Sequence, residues 1–154
     1  MILLVASSKD IAGVNIARHI LNQYPFSKTN NAFQETPVYS AEINGKKLRL
    51  VTLKEETINA QNLPDHFANL DLMAFISRHS SVSGTPTLSV HTPGNLCEAE
   101  LGGLPRKVSV SPANAMRDAL KAMVQLKEEM RLDYEVSYEC THHGPSLNVP
   151  TMFA

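Results

Sequence analysis

The spacing of apolar and polar positions changes several times along the chain, and each change marks an element. Residues 2–6 form a continuous apolar run, Ile-Leu-Leu-Val-Ala, closed by Ser7 and Ser8. Such a run predicts a strand buried on both faces within an α/β sheet. Ile11, Val14, Ala17, Ile20, Leu21 and Tyr24 then recur at three- and four-residue spacing until Pro25, which predicts a helix capped by Asp10. Residues 38–43 alternate up to Asn44-Gly45, and Leu48 and Leu50 alternate beyond it. That pattern predicts two strands joined by a two-residue hairpin turn.

Further on, Pro64 opens a brief helix reaching Phe67, and residues 72–76 read as another buried strand. Residues 87–91 predict a strand ending in the turn formers Pro93-Gly94-Asn95, while Gly102-Gly103 and Pro105 predict a loop. Val108 and Val110 allow a short strand. Ser111 and Pro112 read as a cap and first-turn proline ahead of a long helix. Its stripe is Met116, Leu120, Met123, Lys127 and Met130, flanked by Ala119 and Ala122, with the methionines as core filler. Tyr134, Val136, Tyr138 and Cys140 alternate with Glu135, Ser137 and Glu139, a strand with one wetter face. No repeat or shift in composition divides the chain. Residues 1–154 are therefore expected to form a single α/β domain round a mostly parallel or mixed sheet flanked by helices, with the hairpin attached.

Composition narrows the function. A chain of 154 residues, 43% of them hydrophobic, can hide about 68–70% of its unfolded surface and needs no disulfide or metal staple. Lys and Arg number 14 against 15 Asp and Glu, a formal charge of −1. No overall field draws in nucleic acid, so any RNA contact has to be local and DNA is not an expected partner. No stretch reaches the ~20 apolar residues that cross a bilayer, and the opening residues lack the basic lead and length of a signal peptide. A cytoplasmic chain away from membranes is expected. Cys97 and Cys140 stand far apart without a Cys-x-x-Cys partner, as suits free thiols.

Three predicted strands run straight into polar, titratable residues: Ser77-Arg78-His79-Ser80, His91-Thr92, and residues 139–143. Ligands of open α/β sheets bind outside the carboxyl ends of the strands, so these segments can converge on one cleft. Four of the six histidines lie there, leaving His19 and His66 for surface or packing roles. His79, His91, His142, His143, Glu139 and Cys140 offer ligand types that suit zinc, although neither His-Glu-x-x-His nor paired Cys-x-x-Cys spacing is present. Adjacent histidines in an extended chain point opposite ways, so only one of His142 and His143 is expected to reach a given ion. Hydrogen bonding of some of these rings to loop backbone is the alternative.

A histidine near its ordinary pKa of ~6.5 can take a proton from water, which makes His79, His142 and His143, with Glu139 beside them, the catalytic candidates. A serine nucleophile is disfavoured, because Ser80, Ser81 and Ser83 lack the Gly-x-Ser-x-Gly elbow. The loop Ser7-Ser8-Lys9-Asp10 could receive an anion at a helix start, unless Asp10 is simply a cap. Lys46, Lys47, Arg49, Arg106 and Lys107 are the candidate phosphate contacts, with a solvated face as the plain alternative.

Four segments then carry a resemblance. They are Ser7-Ser8-Lys9-Asp10-Ile11-Ala12-Gly13-Val14-Asn15-Ile16-Ala17, Phe75-Ile76-Ser77-Arg78-His79-Ser80-Ser81, Pro86-Thr87-Leu88-Ser89-Val90-His91-Thr92-Pro93-Gly94-Asn95 and Glu139-Cys140-Thr141-His142-His143-Gly144-Pro145-Ser146, in this order. With them the chain resembles, from end to end, the archaeal and plant type of D-aminoacyl-tRNA deacylase. The resemblance implies hydrolysis of the ester joining a D-amino acid to tRNA, a zinc requirement, and a fold similar to peptidyl-tRNA hydrolase and nucleoside phosphorylases. It implies tRNA charged with a D-amino acid as partner, with the chain expected as a monomer. Within the matching segments His79, His142 and His143 are the expected metal ligands, and Ser7, Lys9, Ser77, Arg78, His91, Thr92, Asn95 and Thr141 the expected substrate contacts. Family members continue well past Pro150, so a form lacking the C-terminal part is expected, with Val149, Met152 and Phe153 left without an element to pack them. Two other readings stay open: a hydrolase of another small ester or amide, and a non-catalytic anion-binding domain.

Overall fold

A computed structural model describes residues 1–78 and 84–154. In it β1 (Ile2–Ser7) leads into α1 (Ile11–Gln23), β2 (Ser27–Phe33) and the hairpin of β3 (Thr36–Ile43) and β4 (Lys46–Leu53). Two 3-10 turns (Thr57–Asn59 and Leu63–His66) precede β5 (Leu72–Phe75), β6 (Thr87–Val90), β7 (Gly94–Asn95) and β8 (Lys107–Val108). Then come α2 (Ala113–Met130), β9 (Glu135–Tyr138) and β10 (Thr151–Phe153). The main sheet runs β10-β5-β1-β4-β3-β2, its first four strands parallel and the last two joined antiparallel. This is the expected α/β class with a mixed sheet.

Register decides what covers each face. Leu4 stands opposite Leu50 and Ala74, and Ala74 opposite Met152, so these four share one side of the pleat. On that side α1 packs through Ala17, Ile20 and Leu21, and α2 through Met116, Leu120 and Met123. Leu3, Val5, Val51, Met73, Phe75 and Phe153 occupy the other side, under Ala60, Leu63, Phe67 and Leu147.

Asp10 caps α1 as expected, one carboxylate oxygen accepting from the Ala12 N–H at 3.0 Å. Its other oxygen accepts from the Arg78 N–H at 2.8 Å, tying the helix start to the chain that leaves β5. Asp10→Ala removes both bonds, and an expected loss of about 1–2 kcal/mol in urea denaturation checks this double role. Asp10→Asn, which retains a side-chain acceptor, should lose less.

Other expectations are corrected. Ile11, Val14 and Tyr24 of the predicted α1 stripe face solvent while its Ala17 is buried as expected, and Gly13, outside the stripe, is buried with it. The helix start lies so close to β5 that a Cβ on Gly13 would stand 2.6 Å from the Ile76 carbonyl oxygen. Polar β2 carries no apolar pattern because it is a largely exposed edge strand, held by pairing with β3. Gly94-Asn95, expected as a turn, pairs with Lys107-Val108. Ser111 does not cap α2; the cap position belongs to Pro112, whose fixed φ suits entry to a helix but whose side chain offers no hydrogen bond. Met130 is exposed because the core contacts of α2 stop at Met123, and Ala122, between Leu120 and Met123 but absent from those contacts, is exposed too. Met152 and Phe153, expected to lack cover, are buried in β10 by pairing with β5. Finally, β6 and β9 form a separate two-stranded parallel sheet, joined to β10 by an antiparallel bridge between His91 and Phe153.

Candidate metal and catalytic centre

That bridge places the site. Where β6 ends, the chain continues into His91 and Thr92; where β9 ends, it continues into Glu139, Thr141, His142 and His143. The two exits are laced together: the Glu139 N–H donates to the Val90 carbonyl at 3.0 Å, the Thr141 hydroxyl to the Thr92 carbonyl at 2.9 Å, and the Gly94 N–H to the His143 carbonyl at 2.6 Å. Phe153 forms the floor, stacked on His91 at 5.2 Å and on Phe75 at 4.7 Å between ring centroids, and edge-on to His143 at 4.8 Å.

His91, His142 and His143 each offer a ring nitrogen within 4.8 Å of the others. The expectation that the rings of His142 and His143 diverge is overturned, because the chain bends at His143 rather than running extended. Their centroids are 4.5 Å apart. His91, expected as a substrate contact, is the buried member, and His142 is exposed at the mouth.

Each ring's other nitrogen faces an oxygen. The His142 Nδ1–H donates to the Cys140 carbonyl and the His143 Nδ1–H to the Gly144 carbonyl, both at 2.7 Å. Carbonyls only accept, so both Nδ1 atoms carry hydrogen and the Nε2 lone pairs stay available. His91 Nδ1 stands 3.4 Å from Glu139 Oε2, which also accepts from the Ser89 hydroxyl at 2.8 Å. His91 Nε2 and His143 Nε2 are 3.2 Å apart. With hydrogen on Nε2, His91 donates to the His143 Nε2 lone pair; with hydrogen on Nδ1 the two lone pairs meet, and a cation between them relieves the repulsion. Nitrogens ~2.0–2.1 Å from one tetrahedral zinc stand about 3.3 Å apart. The His91–His143 pair already stands at that spacing while the three nitrogens together spread to 4.8 Å, so the donor types suit zinc and His142 would have to draw in. The Glu139 carboxylate and the two carbonyls are placed as the outer oxygens that orient metal-binding histidines.

Burial holds His143 below the ordinary histidine value, reinforced by neighbouring His142 and opposed by the Gly144 carbonyl and Glu139. The unfolded chain then binds this proton at higher pH than the folded chain does. Stability falls as pH drops through the ordinary histidine range and levels off below the lowered value. In chelator, melting temperatures between about pH 8 and pH 5 should show this decline, and His143→Gln should make it shallower.

The histidine segment is braced from behind. A Cβ on Gly144 would lie 2.2 Å from the Gly103 nitrogen, so residues 102–103 and 144 touch backbone to backbone. Gln61 clasps the Ser146 backbone with two hydrogen bonds, at 2.7 and 2.9 Å. Buried Asn95 donates to the Gly102 and Leu104 carbonyls, which gives it a loop-organising place. Buried Ser7 donates to the Glu55 carbonyl at 2.7 Å and accepts from the Lys9 N–H at 3.1 Å. Thr92 is buried too, its hydroxyl on the Met116 sulfur at 3.5 Å. Lys9 and Arg78 are exposed, Ser77 half-buried, and His79 lies outside the described residues. Of the cations, Arg106 faces Glu98 at 3.3 Å, Lys107 sits on β8 beside Asn95, and Lys46, Lys47 and Arg49 lie at the far end of the sheet. Cys97 and Cys140 are free and exposed, as expected, and His66 packs edge-on against Phe33. Sequence reasoning missed Ser89, Phe153 and Gln61, which act through contacts between segments far apart in sequence.

The family model described as D-aminoacyl-tRNA deacylase matches residues 66–154. A protein named D-aminoacyl-tRNA deacylase from Thermococcus onnurineus is 35% identical, the alignment covering 99% of this chain and 56% of that protein. One of the same name from Methanosarcina acetivorans is also 35% identical, with coverage of 99% and 54%. The chain thus spans about half the length of these relatives. A solved structure described as a conserved protein of unknown function superposes with a TM-score of 0.81 at 29% identity, over 99% of this chain and 53% of that one. A Borrelia burgdorferi protein described as a 5'-methylthioadenosine/S-adenosylhomocysteine nucleosidase shares the fold alone, with a TM-score of 0.55 at 10% identity over 99% of this chain and 84% of that one. These findings bear out the resemblance drawn from the four segments.

Proposed function

This chain belongs to the D-aminoacyl-tRNA deacylase family, and from that premise we propose that it hydrolyses the ester between a D-amino acid and tRNA at the cluster of His91, His142 and His143. What carries the proposal is the convergence of three histidines from two strand exits, all within the stretch that matches the family. We propose zinc as the resident ion, held by these three side chains; when bound it supplies a Lewis acid that polarises the ester carbonyl. The Cys140 and Gly144 carbonyls hold the Nδ1 protons of His142 and His143, so these two rings present Nε2 in a fixed tautomer, and Glu139 lies beside Nδ1 of His91. Phe153 closes the floor against water. Hydrolysis joins a water oxygen to the acyl carbon, breaks the bond from that carbon to the ribose oxygen, and returns a proton to that oxygen. Glu139, behind the His91 ring and held by the Ser89 hydroxyl, positions that histidine.

The substrate arrives from the side of His142, the exposed member. No helix among the described residues is long and apolar enough to cross a membrane, and the reading places the reaction in the cytoplasm, one chain acting on one charged tRNA. Turnover on matched D- and L-aminoacyl-tRNA tests it. The D form should be hydrolysed and the L form spared; equal rates would point instead to a general esterase using the same cluster.

A further inference from the structure

Lys46, Lys47 and Arg49 line a groove of about 1260 Å³ together with the first turn of α2. Ile2 and Leu72, which also line it, are the first residues of β1 and β5, whereas His91 bridges to Phe153, the last residue of β10. At ~3.3 Å per residue, the six residues of β1 set groove and histidines about 20 Å apart, at opposite ends of the sheet. Lys46 and Lys47 are exposed and Arg49 is half-buried. Among the described residues no ion pair joins any of the three to a carboxylate. The acids that line the groove are engaged elsewhere, Asp71 with the Met1 amine and Asp118 with Arg117. Glu42 stands opposite Lys47 across the hairpin without pairing to it. The first-turn N–H groups of α2, which has no side-chain cap, add further positive character. A space larger than small-molecule pockets need, with three uncommitted cations on one wall, fits an extended polyanion rather than a single phosphate.

We propose that this groove holds the phosphate backbone of the tRNA stem while the aminoacyl end reaches the histidines at the opposite edge; the inference rests on the deacylase reading and adds a second contact remote from the chemistry. The formal charge of −1 does not oppose it, because attraction acts locally when the Debye length is about 8 Å. The RNA runs along the domain from edge to edge, and only substrates long enough to span both sites gain from the groove.

Two variants test this: Lys46, Lys47 and Arg49 all changed to Gln, and Lys46 and Lys47 alone, in case loss of the half-buried Arg49 unsettles the fold. Filter binding of uncharged tRNA across salt concentrations reads the groove whether or not the chain is a deacylase. The triple variant should bind about 10–100-fold more weakly near physiological salt, with the log–log salt slope smaller by about 2–3, and the double variant smaller by about 1–2. The wild-type preference in kcat/KM for D-aminoacyl-tRNA over D-aminoacyl-adenosine should collapse in both. Unchanged affinity and slope, or an equal fall on the long and short substrates, would overturn the proposal. The deacylase reading fails separately, by absence of turnover on D-aminoacyl-tRNA, and the salt slope still decides the groove.

Discussion

Replacing His142 or His143 with Ala should slow single-turnover hydrolysis of D-aminoacyl-tRNA by about 10²–10⁴-fold while tRNA affinity changes by no more than a few-fold. An aminoacyl ester is already a good acyl donor, so the protein has mainly to activate water, move its proton and stabilise the oxyanion. In the proposed reaction both rings would serve that chemistry, with Nδ1 fixed by the Cys140 and Gly144 carbonyls and the other nitrogen turned to the cluster. On the proposed reading affinity for tRNA would come from phosphate contacts instead, so the basic groove variants should show the opposite pattern. Single-turnover rates and filter binding on the same proteins separate the two effects. Full rates in both histidine variants would make the Thr-His-His-Gly segment purely structural.

Phe153→Ala should cost about 3–5 kcal/mol and lower the melting temperature by roughly 6–20 °C. Its ring is buried between Phe75 and His91 and meets the edge of His143, so truncation opens a cavity under the histidines and inside the core at once. Phe153→Leu restores most of the volume and should lose far less stability. It should still lower turnover, because a branched aliphatic side chain cannot stack on the His91 ring. Thermal melts with turnover on both variants check this; equal stability of Phe153→Ala and wild type would remove Phe153 from the floor of the site.

Local signals made much of the fold legible in the sequence. The apolar run of β1, the Asp10 cap, the Asn44-Gly45 hairpin and the run of β5 each depend on a few neighbouring residues, and each stands where the pattern put it. Strand β2 was invisible because it is held mainly by pairing, with Phe33 at its end packed on the core and no repeating apolar face to show. The separation of β6 and β9 from the main sheet depends on partners far away in sequence, which no local period records. The site divides the same way. Residue types at the strand exits flagged His91, His142, His143 and Glu139. The convergence of His142 and His143 needed a bend at His143, beside the close approach of Gly144 to Gly103. Likewise His91 could not be recognised as the buried member until its bridge to Phe153 was seen.

The cluster as reaction centre is tested most directly by stripping the protein with chelator, titrating zinc back, and following single-turnover hydrolysis of D-aminoacyl-tRNA at each step. The expected rate is near zero in stripped protein and climbs to a plateau at about one zinc per chain, with no such climb in His91→Ala. Full activity in protein shown to be free of metal, or an unchanged plateau in His91→Ala, would contradict it.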